Sequence, residues 1–422
     1  MARLLINILS VVITSFYFFP FETIFFPGIN TKMVMAGLGL LILGKRLAQE
    51  GGAIIDKNIF NLSLIAIGMS LVSMLTMSYN NTKDDSFLTY FVSMWVWLGG
   101  AYCLIRWLEF AYGNVSVRLL CKHLIAVCVA QCLIAFTMDS YAPLDNFVDS
   151  FIGGEAFMGR AETRMYGIGA ALDVAGLRFA SVAVIIGFLL SESDKLSDIE
   201  ILFYIASLMI LTVIGNMMSR TTTMGIVIAL VYILYSSCLS GKDSFYWNKK
   251  LWKYFAIILC FVLPVVVFLY NTDDGFYKNL RFAFEGFFSL WEKGEWEVSS
   301  NDILIEHMLV LPDNLKTWLI GDGYAANPSS DPYYTGVDFI GFYKDTDIGY
   351  LRFIFYFGIL GTFLLFIFFL KVALACADKF KSYRVMFFLI LLVNYIGWFK
   401  VSTDIFLTFA PFLCLRNESV ED

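Results

Sequence analysis

Long apolar runs broken by short polar clusters set the pattern of this chain. They fall near 4–20, 31–44, 59–79, 87–108, 118–138, 174–191, 199–216, 223–239, 252–270, 347–371, 384–398 and 402–415. A helix needs about 20 apolar residues to cross the hydrocarbon of a bilayer, so the pattern predicts about twelve spanning helices. The first run opens on Arg3, has no small-residue cleavage pattern before Pro20 and is followed closely by a second, so it reads as a retained helix. The expected fold class is an all-α polytopic membrane protein.

Two stretches interrupt the pattern for much longer. The expected organisation is helices one to five over 1–138, a first loop over 139–172 and helices six to nine over 173–270. A large loop over 271–346 then precedes helices ten to twelve and a tail over 347–422. No solenoid repeat and no Gly/Ser linker divides the chain.

Composition agrees with the pattern: 59% of the residues are apolar and 16% charged, where soluble domains have about 45–50% and about 25%. The net charge of −6 argues against nucleic acid as a partner, because neutralising phosphates needs a dense positive stripe. Charge placement says more. Lys45, Arg46, Lys57, Arg118, Lys122, Lys195, Lys242, Lys249, Lys250, Lys379, Lys381 and Arg384 lie in short connections that each follow an even-numbered run. Short loops that keep Lys and Arg stay on the cytoplasmic side, so the amino terminus is expected in the cytoplasm and both long loops outside it.

Neither long loop holds a cysteine, and the only histidines are His123 and His307. The chain therefore offers no disulfide framework and no metal-ligand spacing, and no cofactor is expected.

Against that topology the arginines stand out. Arg160, Arg164, Arg178, Arg220, Arg281 and Arg352 all map to the long loops or to the outer ends of runs, against the usual tendency. An Arg at the hydrocarbon edge costs a few kcal/mol unless it is paired or faces a wet cavity. Each could snorkel or pair with a loop carboxylate such as Asp273, Asp274, Glu285 or Glu306. As a set they suit a phosphate or diphosphate, which Arg binds in planar, bidentate fashion.

Other motifs sit in the same loops. Gly167 and Gly169 follow Arg164, where the backbone either turns back into the membrane or approaches a ligand. Gly321-Asp322-Gly323-Tyr324 reads as a sharp turn, and it lacks the third glycine of a dinucleotide site. Asp347, just before Tyr350 and Arg352, is either a helix N-cap or a catalytic carboxylate. His307 falls on an expected amphipathic helix whose apolar face is Ile303, Ile305, Met308 and Leu309, and it is either a hydrogen-bonded structural residue or a general base.

The order of these features resembles the bacterial O-antigen and capsule polysaccharide polymerases, the Wzy family, which are related to the O-antigen ligases. The likeness rests on about a dozen spans, two external loops, Arg164-x-x-Gly167, Ser219-Arg220-Thr221, Gly321-Asp322-Gly323-Tyr324 and Thr346-Asp347-Ile-Gly-Tyr350-Leu-Arg352. It implies a multi-pass enzyme of the inner membrane with GT-C-like architecture and a periplasmic active site. Such an enzyme joins oligosaccharide repeat units carried on undecaprenyl diphosphate, without a metal, releasing the lipid diphosphate.

It further implies that Arg164, Arg220 and Arg352 bind the diphosphate, with Arg178 and Arg281 as further candidates. Arg220 also takes a catalytic part, and His307, then Asp322, are the candidate bases. A chain-length regulator is a conceivable partner. The chain departs from many relatives at Asn301-Asp302, where they carry an Arg. A ligase using lipid A core as acceptor and a lipid-linked oligosaccharide transporter remain the alternatives at this stage.

Overall fold

The computed structural model describes residues 2–50, 56–153, 164–192, 195–238, 249–328 and 341–416. Helices occupy every apolar run: α1 (Ala2–Phe18), α2 (Thr31–Glu50), α3 (Lys57–Asn80), α4 (Tyr90–Tyr112), α5 (Val117–Ser140) and, after the short α6 (Ala142–Asp149), α7 (Leu172–Ser191). Then follow α8 (Asp198–Met218), α9 (Thr222–Cys238) and α10 (Lys249–Thr272). The second loop contributes α11 (Asp274–Ala283), α12 (Glu285–Lys293), α13 (Ser299–Glu306) and α14 (Leu315–Leu319). The chain closes with α15 (Gly349–Lys379), α16 (Arg384–Gly397) and α17 (Phe406–Cys414).

Among the described residues, seven helices are long and apolar enough to cross a membrane: α3, α4, α5, α7, α8, α10 and α15. This is the make-up of a helical membrane protein. The two helices at either extreme of burial explain each other. Every residue of α7 from Ala175 to Leu190 is buried, so it forms the axis of the bundle. In α10, by contrast, Phe261, Leu263, Val265, Val267 and Phe268 are exposed, an apolar surface suited to lipid. Small residues let α7 approach α9 closely: a Cβ on Gly225 would lie 2.1 Å from the Ala180 carbonyl oxygen.

The structure adds strands that the all-α expectation lacks. β1 (Glu22–Thr23) pairs antiparallel with both β2 (Phe26–Asn30) and β3 (Ile152–Gly153), tying the α1–α2 connection to the first loop. Pro20, Pro27 and Gly28 (φ +82°) break helix propagation here, and pairing satisfies the backbone groups left over.

The run at 347–371 reads as one helix, but α15 is broken at Phe357-Gly358. Gly358 takes φ +66°, and a Cβ there would stand 2.2 Å from the Leu319 carbonyl oxygen. The second loop fills the break: Asp322 N–H donates to the Phe355 carbonyl (2.5 Å) and Gly323 N–H to the Tyr356 carbonyl (3.0 Å). The predicted turn at 321–324 thus caps carbonyls that a kinked helix leaves unpaired.

Candidate functional site

Three residues at the corner between α8 and α9 set the geometry. Ser219 leaves the helix in extended conformation (φ −158°), and α9 starts at Thr222. Asp173, in the first turn of α7, closes the corner. One of its oxygens accepts from Ser219 Oγ (2.8 Å) and from Thr221 Oγ1, and the Lys400 ammonium stands 3.4 Å away. Gly176 leaves room for this, since a Cβ there would lie 2.5 Å from Ser219 Oγ. With both hydroxyl neighbours pinned and buried, the intervening Arg220 is directed to the second loop.

There Arg220 meets α11 and α12. Its guanidinium lies 4.2 Å from the centroid of the Phe282 ring and donates to Glu285. Arg164, arriving from the first loop, stands 4.8 Å from the same ring. Cation–π contacts contribute about 0.5–2 kcal/mol each, and here one ring serves two cations. Burial lowers the Arg164 pKa; Asp173 opposes the shift and the charge of Arg220 adds to it. The two guanidiniums thus share one ring, each with a carboxylate nearby, Glu285 for Arg220 and Asp173 for Arg164. Burial pushes the Glu285 carboxyl up, but the Ser299 N–H (3.2 Å), Arg220 and the Ser299 hydroxyl hold it below its usual range.

The other arginines occupy different surroundings. Arg281 makes a bidentate pair with Glu292 (2.7 and 2.6 Å) and lies over Phe288; Glu292 raises its pKa. Arg178 is on α7, five residues beyond Asp173 and so about 7.5 Å further along the axis. It is 6% exposed, near Tyr17, Asp404 and Lys32, and its Nε is buried with no hydrogen-bond partner among the described residues. Arg352, the fourth residue of α15, stacks 3.7 Å from the Phe342 centroid and faces Asp347 at 3.7 Å. Arg160 lies outside the described residues.

Of the carboxylates anticipated as partners, Glu285 does pair with Arg220, whereas Asp273 instead caps α11 by accepting from the Phe276 N–H (2.7 Å). The N-cap expectation for Asp347 is corrected: Ile348 caps α15 without a side-chain bond, because Asp347 turns to Arg352. Asp322 is engaged on all sides, accepting from Lys316 (2.6 Å), Thr317 (2.7 Å) and Tyr343 (3.2 Å). Tyr343 in turn packs on Tyr324, and Tyr350 donates to the Tyr395 carbonyl (2.9 Å).

His307 follows α13, is exposed, and makes no side-chain hydrogen bond among the described residues. The apolar face expected beside it is not buried: Ile303, Ile305 and Leu309 are exposed, so the helix lies on the surface instead of packing through that face. Gly167 serves chain packing, since it forms a bridge with Ala170 and lies over Gln131, where a Cβ would be 2.4 Å from Oε1. Gly321 and Gly323 take φ of +83° and +76° in the turn that docks on α15.

Sequence reasoning missed Phe282, Asp173 as the clamp, Lys400 and Gly176. Asp173 stood at the end of the Gly167-Gly169 motif, which was a usable signal. Nothing in periodicity marks Phe282, because its value comes from where two distant arginines arrive.

Two concavities adjoin the site. A polar pocket of about 390 Å³ is bounded by Arg281, Phe282, Glu285, Phe288, Glu292 and Ser299. An apolar groove of about 460 Å³ runs between α8, α10 and the loop helices, with Val213, Leu263, Val266, Phe284 and Trp291 on its walls. Phe288 lines both. The groove touches the π-helical turn at Leu211–Gly215, a distortion that widens α8 just before the Arg220 corner.

No family model, curated protein or solved structure matches the chain. Fold and site define a helical membrane protein with a pair of loop-facing arginines gathered on one aromatic ring.

Proposed function

We propose that the protein joins oligosaccharide repeat units carried on undecaprenyl diphosphate, acting as a glycosyltransferase of the O-antigen or capsule polymerase kind. The observation that carries this is the convergence of Arg164 and Arg220 on Phe282, two neighbouring guanidiniums whose planar donors suit a diphosphate. A lipid diphosphate supplies that group. Its isoprenoid chain suits the apolar groove, and its sugars suit the polar pocket on the other side of Phe288.

In this reading the anomeric carbon of the growing chain is transferred to a hydroxyl of the incoming unit. The departing diphosphate gathers negative charge, which Arg164 and Arg220 stabilise from fixed positions. Asp173 and Lys400 hold the corner and keep Arg220 aimed. Arg178, buried with an unsatisfied Nε, is a second reserve of positive charge deeper in the bundle. The arrangement belongs in the inner membrane of a bacterium, with the amino terminus in the cytoplasm and both loops in the periplasm.

Reconstitution with lipid-linked repeat units tests the proposal. Arg220→Ala and Arg164→Ala are expected to abolish polymer ladders and leave single repeats; normal ladders from both variants contradict it. Offering lipid A core as acceptor in the same assay separates polymerase from ligase.

A further inference from the structure

The polar pocket between α11, α12 and the start of α13 has the chemistry of a carbohydrate site. Phe282 and Phe288 line it with apolar ring atoms that can meet the C–H groups of a sugar. Glu285, Glu292 and the Ser299 hydroxyl offer acceptors for its hydroxyl groups. The wall is pre-ordered, because Arg281 holds Glu292 by two hydrogen bonds and Ser299 holds Glu285 through its N–H. At about 390 Å³ the pocket falls within the usual range for small-ligand sites, about 300–1,000 Å³. Glu285 stands where pocket and arginine site meet: it lines the one and pairs with Arg220 of the other.

We propose that this pocket receives the acceptor sugar and that Glu285 takes the proton of its attacking hydroxyl, an inference that rests on the glycosyl-transfer reading above. The hydroxyl oxygen forms a bond to the anomeric carbon of the donor. The bond from that carbon to the diphosphate oxygen breaks, and its electron pair leaves with the diphosphate onto Arg220 and Arg164. The proton passes to a Glu285 oxygen. Before substrate arrives, Glu285 occupies the guanidinium that the diphosphate will claim. The incoming diphosphate displaces it, and the freed carboxylate is left facing the pocket as a stronger base. Neither His307 nor Asp322 lines this pocket.

The test uses the full chain in proteoliposomes, with lipid-linked repeat units isolated from the host and undecaprenyl diphosphate binding measured separately. Glu285→Gln is expected to bind undecaprenyl diphosphate at least as tightly as the parent, while kcat falls about 10²-fold or more and the acidic limb of the pH–rate profile disappears. Phe288→Ala is expected to raise the acceptor KM several-fold with little change in kcat. Wild-type turnover in Glu285→Gln overturns the assignment, and so does parallel loss of diphosphate binding and turnover, which marks a structural role. If the parent protein itself binds no undecaprenyl diphosphate, the glycosyl-transfer reading falls instead.

Discussion

Arg220 is held in place by its neighbours. Ser219 and Thr221 are fixed to Asp173, so the residue between them is aimed at Phe282 and Glu285. Its planar fork matters as well as its charge. Arg220→Lys is therefore expected to weaken undecaprenyl diphosphate binding about tenfold or more, measured by titration of the purified protein. Glu285 makes a pH-dependent contribution whose sign is fixed: its pKa is lowered in the folded protein, so its stabilising effect is present above the ordinary carboxylate pKa and lost as pH falls through the lowered one. Melting temperatures of parent and Glu285→Gln, compared from pH 7 downward, should draw together only as the pH falls below the ordinary carboxylate range. The arginines were legible in sequence as misplaced charges. Glu285 was legible too, as one of several loop carboxylates, but Phe282 and Asp173 were not, because they come from segments far from Arg220 in the chain.

At the scale of elements, two close approaches fix the site. Gly176 lets α7 reach the Ser219 corner, and a methyl group there would lie 2.8 Å from Ser219 Cβ and 2.9 Å from Thr221 Cβ. Gly176→Ala is thus expected to displace Arg220 and lower diphosphate affinity about tenfold, in a protein that still folds. Gly358 lets the second loop enter the break in α15; its positive φ and the nearby Leu319 carbonyl predict that Gly358→Ala costs about 2 kcal/mol or more, read as a lower melting temperature. Sequence reasoning placed the helices well, since apolar runs of span length have few other stable outcomes. It did not find the break in α15 or the β1–β2–β3 sheet. Both depend on which distant backbone groups need partners, and local pattern carries no record of that. The loop helix expected before His307 is present at Ser299–Glu306, and its apolar residues Ile303 and Ile305 lie exposed.

Across the whole molecule, α7 is buried, α10 exposes an apolar face, and Arg164 of the first long loop meets Phe282 of the second. The charge pattern predicts those loops on the side opposite Lys195. In a cysteine-free background, Ser150→Cys and Ser299→Cys should react with an impermeant thiol reagent in cells whose outer membrane is opened, and Lys195→Cys only after lysis. Purified protein should bind undecaprenyl diphosphate in direct titration, and Arg164→Ala and Arg220→Ala should each weaken that binding at least tenfold while keeping the helical circular-dichroism spectrum of the parent. Equal affinity in the parent and both variants would contradict the account.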